Sequence, residues 1–202
     1  MVRIYVGPER ALWVLPEQIL CDHVKYFDSA FRSGFREGNE KVLQLPEDDP
    51  LAFAYIIEYV MQQWVDERII KELNTPEAVH MAWCKTWILA DKMGYSKCLI
   101  YIEIEYREYI EKFNKDQEEA IPPAVVAFVY DNTSEGCTLQ AILFEAAAGM
   151  FNDNSCSCKA FMARWSKSAA SHPEYLSDVM IELKKWSGKR QAGTGVECGC
   201  IE

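Results

Sequence analysis

Apolar residues alternate with a period of two only before residue 46, and beyond residue 49 they recur every three or four. That switch is the strongest constraint the chain places on its own fold. A period of two puts one face of a strand on a core, and a period of three and four puts one stripe of a helix there. Val2, Ile4 and Val6 lie on one side of a run that Gly7-Pro8-Glu9 interrupts. Residues 11–15 (ALWVL) form a second apolar stretch, so the two read as a hairpin of short strands. Pro16 ends the second strand and opens a short helix through Cys21. Phe27, Ala30, Phe31 and Gly34 make a helical stripe within 25–35, and residues 41–45 (KVLQL) read as another strand.

From there the pattern is helical. Asp49 is placed to cap a helix with Pro50 in its first turn and with Phe53, Ile56, Ile57, Val60 and Trp64 on one face. Thr75-Pro76-Glu77 repeats the design. It opens a helix carrying Val79, Trp83, Trp87, Ala90 and Met93, closed by Gly94. After Ser96 the stripe is Leu99, Ile102, Tyr106, Ile110 and Phe113. The polar stretch 114–123 (NKDQEEAIPP) ends in two prolines and reads as the boundary of the chain. Helices follow near 123–131, 137–151, 158–167 and 173–186. The last opens with Pro173 and is expected to bury Tyr175, Leu176, Val179, Met180, Leu183 and Trp186. Residues 187–202 are Gly-rich, lack a stripe and read as a disordered tail. The expected fold class is α+β: a mixed domain over 1–113, an all-α extension over 121–186, then the tail.

Half of the 202 residues are hydrophobic and 12% are aromatic, enough for a buried core and too many for a disordered chain. The net charge of -10 sets the chain against nucleic-acid phosphates. Its densest basic run, Lys184, Lys185, Lys189 and Arg190, reads as cations favouring a helix C-terminus. No apolar run reaches the roughly 18–20 residues of a membrane span. The first residues lack the apolar stretch of a signal peptide. The expectation is a soluble protein of the cytoplasm or nucleus whose eight cysteines are reduced thiols.

The chemistry-bearing residues are scattered. Cys156-Ser157-Cys158 and Cys198-Gly199-Cys200 supply four thiols, but their spacing is unlike the usual zinc ligand gaps, so no metal is expected. A prenylation box needs Cys fourth from the end, and Gly199 stands there. His23, His80 and His172 are far apart. His80 reads as a core neighbour and His172, before Pro173, as a capping residue. There is no nucleophile elbow, phosphate loop, dinucleotide fingerprint or zinc-protease motif. No catalytic residue and no cofactor is therefore expected, and the chain reads as non-enzymatic. Glu103, Glu105, Glu108 and Glu111 read as a solvated helix face. The six tryptophans and Tyr101, Tyr106 and Tyr109 follow helix faces and read as core.

IYVGPE (4–9), WVLPEQILCDHVKYFDSAFRSGFREG (13–38) and VLQLPEDDPLAFAYIIEYV (42–60) together resemble a BTB/POZ domain, and more narrowly its fungal members. The places of the family pattern are held by Tyr26-Phe27, Phe31, Leu45, Asp48, Asp49, Pro50 and Phe53. LADKMG (89–94) resembles the helix that closes the BTB core. Residues 121–143 and 173–186 resemble the helical tail of the fungal proteins, so the likeness covers most of 2–186. Two positions depart from it: Pro16-Glu17 replaces a common His-Lys, and Val24-Lys25 stands where a Ser often precedes the aromatic pair. Both changes set the chain apart from members whose charged pocket binds corepressors.

The resemblance implies a protein–protein interaction module, an adaptor or scaffold that self-associates and docks a cullin of a ubiquitin ligase. Family adaptors present a hydrophobic residue, any residue, then Glu at the end of a two-helix lid, and Phe35-Arg36-Glu37 fits. The aromatic would enter a partner groove and the carboxylate would fix register. The other reading packs Phe35 inside its own lid and leaves Glu37 a solvated charge. The family's dimer surface points to Ile4, Trp13, Leu15, Ile19 and Leu20, residues that core packing would equally explain. The first strand of the longer family form is missing, which argues against strand exchange. The alternative function is a monomeric, elongin-like scaffold or regulatory subunit without a cullin-adaptor role. Direct nucleic-acid and membrane partners are not expected.

Overall fold

The computed structural model of the protein describes residues 1–65, 73–117, 121–153 and 159–189. β1 (Val2–Val6) and β2 (Ala11–Leu15) pair antiparallel, Val2 opposite Leu15 and Val6 opposite Ala11. The turn between them uses Gly7 at φ 74°, where a side chain would also meet Pro50 Cγ at 2.9 Å. β3 (Val42–Leu45) runs parallel to β1, giving the order β2-β1-β3. The alternation in β1 turns Val2, Ile4 and Val6 inward with Leu43 and Leu45, all buried. Arg3, Leu12 and Val14 are exposed and Tyr5 half-exposed on the opposite face.

Three helices separate β2 from β3: α1 (Glu17–His23), α2 (Lys25–Arg32) and α3 (Arg36–Glu40). α4 (Pro50–Gln62) starts as its cap chemistry requires. Leu51 N and Ala52 N donate to Asp49 Oδ1 at 2.9 and 3.2 Å. Burial pushes the Asp49 carboxyl up, but the Lys85 hydrogen bond at 2.8 Å and the backbone donors outweigh it and hold the carboxyl below its ordinary range. Phe53, Ile56, Ile57 and Val60 are buried as expected. Trp64 is not on that face: Gln63 turns left-handed at φ 62° and ends the helix, so Trp64 falls outside the stripe and is half-exposed. α5 (Pro76–Lys92) is capped by Thr75, whose hydroxyl accepts from Ala78 N at 3.2 Å. It ends at Gly94, φ 62°, where Tyr95 N donates back to Ala90 O at 3.0 Å.

The chain divides into two compact units, Met1–Ile102 and Glu103–Glu202. The division falls inside α6 (Ser96–Gln117), not in the polar stretch 114–123. Cys98, Ile102, Tyr106 and Ile110 are the buried positions of α6. Cys98 takes the place expected for Leu99, which is half-buried, and the Phe113 side chain lies outside the described residues. The first unit is mixed α+β, and its described partner unit is helical: α7 (Pro123–Asn132), α8 (Thr138–Asp153), α9 (Lys159–Ser171) and α10 (Pro173–Lys189).

In the second unit α9 packs on α7 and α10 on α8. Tyr130 of α7 donates its hydroxyl to Asp178 at 2.7 Å and sets its ring edge-on to Tyr175, which ties α7 to α10. α10 buries a narrower stripe than expected. Tyr175 and Val179 are inside, Leu183 is half-buried, and Leu176 and Met180 are exposed. One residue's advance turns a helix by about 100°, so Leu176 and Met180 leave the seam that Tyr175 and Val179 occupy. Ser187–Lys189 continue α10 where a tail was expected. The Trp186 side chain, both C-x-C pairs and the rest of the expected tail lie outside the described residues. Among the described residues no helix is long and apolar enough to cross a membrane.

Candidate protein-docking surface

The lid begins where Val24, fully buried and extended, breaks α1 from α2. Leu20 of α1 and Phe27 and Phe31 of α2 point into the core. Phe27 stacks on Phe31 with centroids 6.3 Å apart and meets Phe53 edge-on at 6.4 Å. With the apolar side of α2 spent on the core, the residues after it are left at the surface. Phe35 is the N-cap of α3 and is 73% exposed. It does not pack inside the lid. Glu37 follows in the first turn of α3, half-exposed, and no hydrogen bond or ion pair among the described residues engages it.

Two features hold this segment in place. A Cβ on Gly38 would lie 2.3 Å from Ser33 O and 3.1 Å from Phe31 O, so only glycine allows α3 to close on the end of α2. Lys41, left-handed at φ 54°, donates from Nζ to Glu17 at 2.6 Å and to Phe31 O at 3.0 Å. That single amine joins the ends of α1, α2 and α3. Arg36 pairs with Glu40 at 2.8 Å and leaves Glu37 unclaimed. The result is an aromatic ring and a carboxylate two residues apart on a short, braced segment. Chemically it can do one thing well, which is to insert a ring in an apolar groove and accept a hydrogen bond beside it.

The residues expected on a dimer face separate. Ile4 and Leu20 are 0% exposed and belong to the core, so they offer no surface. Trp13 and Leu15 share the inward side of β2 and are half-buried, with Trp13 edge-on to Phe53 at 5.4 Å. Ile19 is exposed. The hairpin's outward apolar side chains are instead Leu12 and Val14, at 52% and 53% exposure. The sequence run ALWVL is apolar throughout, so its own alternation could not select them. The pairing of Trp13 with Ile4 supplies the missing signal.

Burial shifts titratable groups elsewhere in the first unit. His80 is fully buried on α5, and burial pushes its imidazole down to about 4. Burial pushes the Cys98 thiol up to about 12, so it stays protonated at neutral pH. Cys21 and Cys84 are also buried free thiols. Among the described residues no cluster of three His, Cys, Asp or Glu side chains could hold a metal ion. No family model matches the chain, and no curated protein matches it in sequence.

Proposed function

We propose that the first unit is a BTB/POZ-type protein-docking module, an adaptor that presents Phe35 and Glu37 to a cullin scaffold. The observation that carries the reading is the 73% exposure of Phe35 on a braced helix start. Support also comes from the element order, a hairpin, two lid helices, a short helix, a strand parallel to the first and an Asp-capped helix. Burying such a ring is worth about 1.5–3 kcal/mol. That is the size of an interface hot spot. Purified cullin should be retained by the wild-type protein. Phe35→Asp combined with Glu37→Ala should weaken retention by at least about 30-fold while leaving thermal unfolding unchanged. Equal retention by both proteins would end the adaptor reading.

The burial of Ile4 and Leu20 favours a second reading, a monomeric, elongin-like scaffold, because it removes two side chains from the expected dimer face. Light scattering at micromolar concentration separates the two. A monomeric mass is expected for the scaffold and a dimeric mass for the self-associating adaptor.

A further inference from the structure

We propose that the free edge of β2 is a second binding surface, independent of the lid, that takes an extended partner segment of alternating apolar and acidic residues as a fourth strand. Arg3 N and Gly7 N donate to Lys41 O and Leu45 O, so the odd residues of β1 face β3. The even residues therefore face β2, where Ile4 is paired with Trp13 and Val6 with Ala11. It follows that the backbone groups of Leu12 and Val14 point away from β1. No hydrogen bond among the described residues reaches them, and β2 ends the sheet.

Edge strands are ordinarily protected by a charge, a proline or a bulge. Ala11–Leu15 has neither charge nor proline, and its pairing with β1 runs in unbroken register over five residues. Leu12 and Val14 thus offer open backbone groups to an approaching strand, whose apolar side chains would fall on the inner face beside the half-buried Trp13 and Leu15. The charge of the occupant follows from the flanking residues. Arg3 lies opposite Val14 on the outer face, and Arg10 sits over the Tyr5 ring at 5.0 Å, opposite Leu12. Among the described residues neither guanidinium pairs with a carboxylate, in a chain whose net charge is -10. Strands in a sheet are about 4.8 Å apart, so an added strand lies two spacings from β1. A glutamate on its outer face is within reach of the Arg3 side chain across Val14. A basic segment would instead meet two unpaired cations.

The test is fluorescence polarisation of the full chain with a short, blocked, labelled peptide alternating Val and Glu, and with its Val-Lys counterpart. The acidic peptide should bind saturably and the basic one should not. Val14→Pro removes an outward donor without touching the β1 ladder, as proline tolerates at an edge. It and Arg3→Glu should each weaken binding by about tenfold or more. Leu12→Glu, which sets a like charge beside the acidic side chains, gives a third variant should the proline protein fail to fold, and Phe35→Asp should bind the peptide as the wild type does. Equal binding of both peptides, binding unchanged in Val14→Pro and Leu12→Glu, or no binding at millimolar peptide would overturn the proposal. So would self-association of the peptide-free protein that Val14→Pro abolishes, which would give the edge to a second copy.

Discussion

Phe53→Ala is expected to lower the unfolding free energy by about 3–5 kcal/mol, the range for a buried aromatic truncated to alanine. The ring is 0% exposed and meets Trp13 at 5.4 Å and Phe27 at 6.4 Å, both edge-on. Trp13 belongs to the hairpin, Phe27 to α2 and Phe53 to α4, so one side chain joins three elements. Removing it leaves a cavity and also loses two aromatic contacts worth about 0.5–1.5 kcal/mol each. A small domain has only about 5–15 kcal/mol in total. Urea unfolding followed by circular dichroism measures the loss, with Phe53→Leu as the milder comparison. A loss under about 1 kcal/mol would show that the ring cluster does not hold the hairpin to the lid.

The second large effect is on pH. His80 is fully buried and its pKa is down to about 4 from an ordinary 6.5, by burial. Below pH 6.5 the unfolded chain binds a proton at this position that the folded chain refuses until about pH 4. The unfolded state is therefore favoured as pH falls through that window. At about 1.4 kcal/mol per pH unit, roughly 2 kcal/mol is lost between pH 6.5 and 5, and roughly 3 by pH 4. By about pH 7.5 both states are essentially neutral at His80 and the slope vanishes. Below about pH 4 the paired Asp49 carboxylate adds a further loss as it takes up its own proton. His80→Leu should flatten the wild-type slope between pH 6.5 and 5. A wild type no more acid-sensitive than that variant would show that His80 titrates normally in the folded protein.

What could be read from the sequence was local chemistry. Asp49 and Thr75 announce their helices because a cap needs only the side chain and the next three backbone amides. Val2, Ile4 and Val6 announce their face because polar or turn residues separate them. Features set by distant residues were not legible. Trp64 leaves its helix because Gln63 turns left-handed, a conformation that glutamine does not advertise. Leu176 and Met180 look like core, but the α8 partner meets only the neighbouring stripe of α10. The division between units at Ile102 sits within an unbroken helical pattern, so nothing in composition marks it. The lid motif was visible as Phe35-Arg36-Glu37, yet its exposure was not. That depends on Phe27 and Phe31 filling the core and on Gly38 closing on Ser33.

Lys41 carries a consequence for the order in which the chain acquires its surface. A left-handed conformation costs a non-glycine residue about 1–2 kcal/mol, so the chain does not hold it on local preference. Here it coincides with an amine anchored to Glu17, 24 positions earlier, and to the Phe31 carbonyl, 10 positions earlier. Contacts that distant close only after the intervening chain has been brought together. The Phe35–Glu37 segment is therefore braced only where the ends of α1 and α2 have been brought to Lys41. A nascent or damaged chain shows the same three residues without their geometry. A partner that reads the segment's shape would distinguish a chain in which these helices have met from one in which they have not.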